Sequence, residues 1–205
     1  MLTLYGAQRS GSAAIEAALT IAGVRFHSVK AATWEPGAGL KKLKRVNPLG
    51  QIPTLVLDDG TVMSESAAIL IWLGLQHPKS GLLPAKPAEA IRGLVFIAAN
   101  CYAAIGIIDY PERYCADCDE ATAKRIKAGS MARLHRYWEM FADQFGSLLK
   151  PAKPGALDLL AATVSHWSGG RAHVKAHRPR LHAALERIEA HPRVASIFRR
   201  HWPAK

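Results

Sequence analysis

The chain has 205 residues, 49% of them hydrophobic and 21% charged, with a formal net charge of +11. That mix excludes global disorder, and the length suits one domain or two small ones. The longest apolar stretch, Leu94 to Ile108, is interrupted by Asn100 and is shorter than the ~20 residues that span a bilayer.

Residues 2–5 (Leu-Thr-Leu-Tyr) read as a short buried strand with Tyr5 in the core. Residues 11–22, rich in Ala, Ile and Leu, form a helix that Gly23 ends. Residues 25–30 alternate polar and apolar and read as a second strand. A short basic helix over 39–46 stops before Asn47-Pro48, and strands at 54–57 and 61–63 flank the hairpin signal Asp58-Asp59-Gly60. A strongly apolar helix follows at 65–76. Residues 77–87 contain three prolines and a glycine and read as a linker. Beyond it the pattern is helical, over about 88–110, 120–148, 155–168, 179–190 and 193–200. The expected plan is an α/β domain over 1–78, a linker over 79–87 and an all-α helical bundle over 88–205.

The opening Met1–Gly6 has no basic segment leading into a long apolar run, so no secretory signal is expected. Three cysteines set no disulfide framework, and the expected location is cytoplasmic. The charge is uneven: residues 150–205 carry a net +8 and six of the nine histidines. Their arginines interleave with the apolar stripe Leu181, Leu185, Ile188, Ile197 and Phe198, which reads as amphipathic helix with a solvated face. No nucleic-acid motif accompanies them, so neither nucleic acid nor a membrane is an expected partner.

Asn47-Pro48-Leu49-Gly50-Gln51-Ile52-Pro53-Thr54-Leu55, followed by Asp59-Gly60 and Glu65-Ser66-Ala67-Ala68-Ile69, resembles the glutathione S-transferase family. The closing Glu189-Ala190-His191-Pro192-Arg193-Val194 is similar to the end of that family's penultimate helix. The resemblance implies a thioredoxin-like first domain, a helical second domain, glutathione as co-substrate, no metal, an electrophilic small-molecule substrate and a homodimer. It also assigns residues. A proline opening a strand cannot donate to the sheet, and a cis bond before it would turn the Ile52 backbone outward to pair with a peptide. By resemblance, Ile52 and Pro53 dock the cysteinyl unit of glutathione. Ser66 meets the γ-glutamyl carboxylate at a helix start, Glu65 meets its ammonium, and Gln51 adds a side-chain hydrogen bond. Both Glu65 and Ser66 also suit simple helix capping.

The family activates the glutathione thiol with a hydroxyl or cysteine near the start of the first helix. A free thiol has a pKa of about 8.5, and lowering it by about two units takes roughly 2.7 kcal/mol. In Tyr5-Gly6-Ala7-Gln8-Arg9-Ser10-Gly11-Ser12-Ala13, counting from the strand selects Ser10, and counting back from the helix end selects a place between Arg9 and Gly11, with Ser12 one step further on. Both remain candidates, and both suit capping. Arg9 sits beside them as an electrostatic stabiliser or a solvated side chain. Trp34, Tyr102 and Tyr110 are candidate walls of an apolar substrate pocket.

Two motifs are read as bystanders. Cys115-Ala116-Asp117-Cys118 lies among acidic neighbours that oppose thiol activation. His173 and His177 share helical spacing but lack a third metal ligand. At the helix start Pro154-Gly155-Ala156-Leu157-Asp158, Gly155 stands where the family has a hydroxyl, and a weaker start is expected. The expected activity is glutathione S-conjugation to an apolar electrophile. A non-catalytic glutathione-binding or regulatory module and a glutathione-dependent reductase or isomerase are the alternatives.

Overall fold

A computed structural model of the chain describes residues 1–203. Strand β1 (Leu2–Gly6), helix α1 (Ser12–Ala22) and strand β2 (Phe26–Lys30) form a βαβ unit, and α2 (Ala38–Val46) leads to β3 (Thr54–Val56), β4 (Val62–Met63) and α3 (Ser66–Gln76). The sheet order is β2-β1-β3-β4. β1 runs parallel to β2, with Leu2 opposite Phe26, and antiparallel to β3, with Leu4 opposite Leu55. This is the thioredoxin-like arrangement that the resemblance implied.

Helix α1 is alanine-rich for a reason visible in its surroundings. It packs against α3 on one side and against the last helices on another, and Ala13, Ala14, Ala17 and Ala18 are all fully buried. Small side chains let neighbouring backbones approach. Gly23 ends the helix in the left-handed conformation, its N–H bonding back to the last turn. Helix α2 buries only Leu43 and leaves its lysines outside.

Residues Ala88–Asp109 form one helical rod. The sequence predicts an uninterrupted helix over 88–110. Instead α4 (Ala88–Phe96) widens into a π-type turn at Ile97–Tyr102 before α5 (Ala103–Asp109). Inside that turn the Asn100 amide donates to the Phe96 carbonyl at 3.0 Å, competing with the regular helical ladder. The 22-residue rod is long and apolar enough to cross a membrane by length and composition, longer than the uninterrupted apolar stretch suggests. Its Leu94, Ile97, Cys101 and Ile105 belong to the core.

Helix α6 (Glu120–Phe145) is capped by Asp119, whose carboxylate accepts from Thr122 N–H at 2.7 Å. It contributes Leu134, Trp138, Phe141 and Phe145 to the core. Helix α7 (Ala156–Val164) is buried along its whole length. At its start a Cβ on Gly155 would lie 2.9 Å from the Leu82 carbonyl oxygen, so the approaching chain leaves room only for glycine. The start is not bare. Leu82 C=O accepts from Ala156 N–H at 2.8 Å, and the buried Asp158 carboxyl accepts from Gly155 and Lys150 N–H.

Helix α8 (Gly170–His177) was not predicted. Gly169 serves as its left-handed cap. Helices α9 (Pro179–Glu189) and α10 (Ala195–His201) complete the chain. The basic last quarter is only partly a solvated face. Arg171 pairs with Glu189, Arg178 with Asp143 and Glu139, and Arg200 with Glu16, and Arg193 donates to carbonyls at the end of α1.

Candidate functional site

A cleft of about 720 Å³ opens between the α/β half and the helical half. Ser10, Gln51, Ile52, Pro53, Glu65 and Ser66 line one side of it, and Trp34, Tyr102 and Tyr110 line it as well. Residues separated by up to a hundred positions in the chain therefore face one space. Ser12 is not among the lining residues and is fully buried.

The loop before β3 is built from its own residues. Asn47 is buried; its amide donates to Thr54 Oγ1 at 2.9 Å, and its Oδ1 accepts from Leu49 N–H at 3.1 Å. Thr54 Oγ1 in turn donates to the Gln51 carbonyl at 2.7 Å. Gly50, at φ 63°, completes the turn by donating its N–H to the Asn47 carbonyl. The Ile52–Pro53 peptide is cis. Across the cleft floor, Glu65 precedes α3 with φ 64°, a region non-glycine residues avoid. Ser66 follows as the first residue of the helix, so its end, with free N–H groups, borders the cleft.

The serine turn is closed on itself. Ser10 Oγ donates to the Ala7 carbonyl at 2.7 Å and accepts from the Ala7 and Ser12 N–H groups at 3.3 and 3.2 Å. Ser12 Oγ also reaches the Ala7 carbonyl, at 3.2 Å, and lies 3.0 Å from Ser10 Oγ. Ser10 is the member of the pair at the cleft wall, and Ser12 stands behind it.

Aromatic side chains close the far wall. Burial, with the charges of Glu65 and Asp109, pushes the Tyr102 phenol up to about 12, so it stays a neutral donor. Tyr102 and Trp167 rings lie 5.5 Å apart. Arg113 stacks over Tyr110 at 3.9 Å, and Trp34 is 55% exposed at the mouth. Away from the cleft, burial and the neighbouring Cys115, Asp119 and Glu112 push the Cys118 thiol up, the reverse of activation. His173 stacks on both His135 and His177 and bonds to Glu139.

Comparison with known proteins gives this geometry a family. Residues 12–76 match the family described as glutathione S-transferase, N-terminal domain. The uncharacterized GST-like protein YncG of Escherichia coli K12 is 33% identical over 129 residues, 62% of this chain and 63% of that protein. The matched region thus spans less than two thirds of that relative's length. Among solved structures, a glutathione transferase from Methylococcus capsulatus superposes with a TM-score of 0.74 at 27% identity, covering 98% of both chains. A glutathione transferase homologue from Sulfitobacter, with bound glutathione, superposes at 0.79 over 96% of both chains at 21% identity. Residues 12–76 thus carry a glutathione S-transferase N-terminal domain, and the chain as a whole has the fold of glutathione transferases.

Within this glutathione S-transferase fold, several residues of the cleft escape a reading of the sequence. Gly11 is the most telling. A Cβ there would come within 2.7 Å of Tyr102 Oη, 3.1 Å of Pro53 Cδ and 3.2 Å of Ser66 Oγ. Three elements therefore converge on its bare backbone at the start of α1. Its neighbour Ser10 is the only local hint. Lys44 brings a cation to the cleft from α2, and its place in a run of surface lysines conceals it. Trp167 donates its indole N–H to the Arg9 carbonyl at 3.2 Å, a contact across 158 positions that no local pattern announces.

Proposed function

We propose that this chain is a glutathione transferase that binds glutathione along the Gln51–Pro53 loop and the start of α3, and conjugates its thiolate to an apolar electrophile. The observation that carries this reading is the convergence of Ser10, Gly11, Pro53, Ser66 and Tyr102 on one cleft. The Ile52 N–H and C=O would pair with the cysteinyl unit as an added strand. Ser66 and the α3 N-terminus would hold the γ-glutamyl carboxylate, Glu65 its ammonium, and Lys44 and Gln51 the other end of the peptide. The sulfur then lies against Ser10 and the start of α1.

Ser10 lowers the thiol pKa by turning its hydroxyl proton from the Ala7 carbonyl to the sulfur, while the helix dipole adds positive potential. The thiol proton leaves to water. The thiolate forms a carbon–sulfur bond to an electrophile held by Trp34, Tyr102 and Tyr110, and the leaving group departs or an activated double bond takes up the electron pair. A homodimer would cover the exposed Val62, Leu75 and Val95, the free cysteines suit a cytoplasmic, reducing setting, and a detoxifying role follows from the proposed conjugation.

Calorimetric titration with reduced glutathione tests the site. Binding should be saturable and should weaken by about 10- to 100-fold in Ser66→Ala and in Glu65→Ala, the range for a lost charge-assisted hydrogen bond. Absence of binding at millimolar glutathione refutes the reading. A non-catalytic module has one observation in its favour: the Ser10 proton already has an acceptor in the Ala7 carbonyl. Ultraviolet titration of the bound thiol separates the two, since only the transferase lowers its pKa and turns over a panel of electrophiles.

A further inference from the structure

Behind the serine turn lies a buried polar cluster that the glutathione cradle does not use. Arg9, immediately before Ser10, has φ 59°, the left-handed region that a non-glycine residue avoids. Its peptide groups are held from the helical half. The Arg9 N–H donates to His201 Nδ1 at 3.2 Å, and its C=O accepts from the Trp167 indole. Next to it, the Gln8 amide donates to the Arg200 carbonyl at 2.6 Å. His201 is 2% exposed, and its Nε2 lies 3.0 Å from Glu16 Oε1. Glu16, 8% exposed on α1, uses its other oxygen for the Arg200 guanidinium.

These bonds fix the imidazole. Nδ1 faces an amide N–H, which can only donate, so Nδ1 carries its lone pair and the ring proton sits on Nε2, toward the carboxylate. Burial pushes the Glu16 carboxyl up, but the His201 bond, together with the bond and charge of Arg200, outweighs it and holds the group below its ordinary value. Glu16 is thus an anion that orients the ring, and the ring presents one acceptor to one backbone N–H. This is the relation by which a carboxylate sets the working nitrogen of a histidine, applied to a peptide group.

We infer that His201, oriented by Glu16, is a positioning residue for Ser10: it holds the Arg9 peptide in the left-handed conformation that sets the Ser10 hydroxyl at the cleft wall. The inference rests on the proposed thiol-activating role of Ser10. Among the described residues, the Arg9 peptide draws its side-chain bonds from the helical half and none from its own. The last helix of the chain therefore governs the geometry of a turn near its beginning.

Two isosteric substitutions test this. In His201→Asn the amide oxygen takes the place of Nδ1, keeping the acceptor for Arg9 and losing the bond to Glu16. In His201→Gln the amide nitrogen takes the place of Nε2, keeping Glu16 and losing Arg9. The expected result is that Gln lowers kcat about 10-fold and raises the pKa of the bound thiol, with the KM for glutathione within about twofold, while Asn stays within about threefold of the parent in kcat. Amide exchange at Arg9, followed by NMR in the free protein, should quicken about 10-fold in Gln and hardly at all in Asn. The opposite order, or equal losses in both, overturns the inference and leaves His201 a structural partner of Glu16. If the parent protein neither binds nor turns over glutathione, the proposed function fails, and the Arg9 exchange still decides whether His201 holds the turn.

Discussion

The loop that would receive the glutathione backbone and the turn that would activate its sulfur border the same cleft, yet they are held in opposite ways. The Asn47–Thr54 loop is tied by its own residues, through Asn47, Thr54 and Gly50 bonds that span at most seven positions. The serine turn closes its small ring locally, but its outer peptide is held by Trp167 and His201, and the neighbouring Gln8 side chain by the Arg200 carbonyl, all more than 150 positions away. A binding surface can therefore form with the first half of the chain. By the inference above, the serine turn reaches its geometry only when the last helix has docked. In the proposed reading, recognition and chemistry on one cleft have different structural dependencies.

The most damaging change should be one that strikes both regions at their meeting point. Gly11→Val places a branched side chain where Tyr102 Oη, Pro53 and Ser66 Oγ already converge, and it should reduce glutathione-dependent kcat/KM by more than about 100-fold, the scale of a displacement of about 1 Å in a site. Circular dichroism that stays unchanged would assign the loss to the site. Wild-type activity in this variant would show that the cleft does not work as described.

Two further substitutions separate the regions. Asn47→Ala removes the buried amide that knits the cradle and leaves its former partners unsatisfied. It should lower stability by about 2 kcal/mol in urea unfolding and weaken glutathione affinity, while bound glutathione keeps its lowered thiol pKa. Trp167→Phe keeps the aromatic face toward Tyr102 and removes the indole donor to Arg9. It should lower kcat about 3- to 10-fold with the KM for glutathione unchanged. If both variants alter KM and kcat alike, the two regions are one unit and the comparison fails.

The smallest expected effect is on the response to acid. Glu16 and Glu189 have folded-state values below their ordinary 4.5. The unfolded chain thus binds protons at a higher pH than the folded one, and the stability these groups supply is present above 4.5 and lost as pH falls through their lower folded values. The unfolding midpoint should decline below about pH 4.5, and Glu16→Gln should flatten part of that decline. An equal slope in the variant would remove Glu16 from the explanation.

Much of the fold is legible along the chain because its causes are local. Gly23 ends α1, Asp58-Asp59-Gly60 turns β3 into β4, and the apolar runs mark α1, α3 and α7 as buried. The cradle is readable for the same reason: Asn47 through Pro53, and Glu65 with Ser66, are contiguous segments whose spacing carries the family resemblance. The departures have equally specific causes. Helix α8 hides behind Ser168-Gly169-Gly170, where glycine caps a helix instead of ending the pattern. The π-type turn holds an asparagine whose amide bonds to a carbonyl within its own helix, a contact that the apolar pattern does not announce. The choice between Ser10 and Ser12 depends on which hydroxyl the turn leaves at the wall, and two residues of spacing cannot reveal that.

By itself the sequence determined the β-α-β-α-β-β-α order of elements, the proline-opened strand and the acid–serine pair at the start of α3, because propensity, capping and short-range hydrogen bonds act between near neighbours. Only the tertiary structure decided that Gly11 lies where three elements meet, that the basic last quarter is partly consumed by ion pairs with Glu16, Glu139, Asp143 and Glu189, and that Arg9 is held by His201 and Trp167. Those facts depend on side chains brought together across the whole chain, and contacts of that kind exist only once the helical half has packed against the sheet.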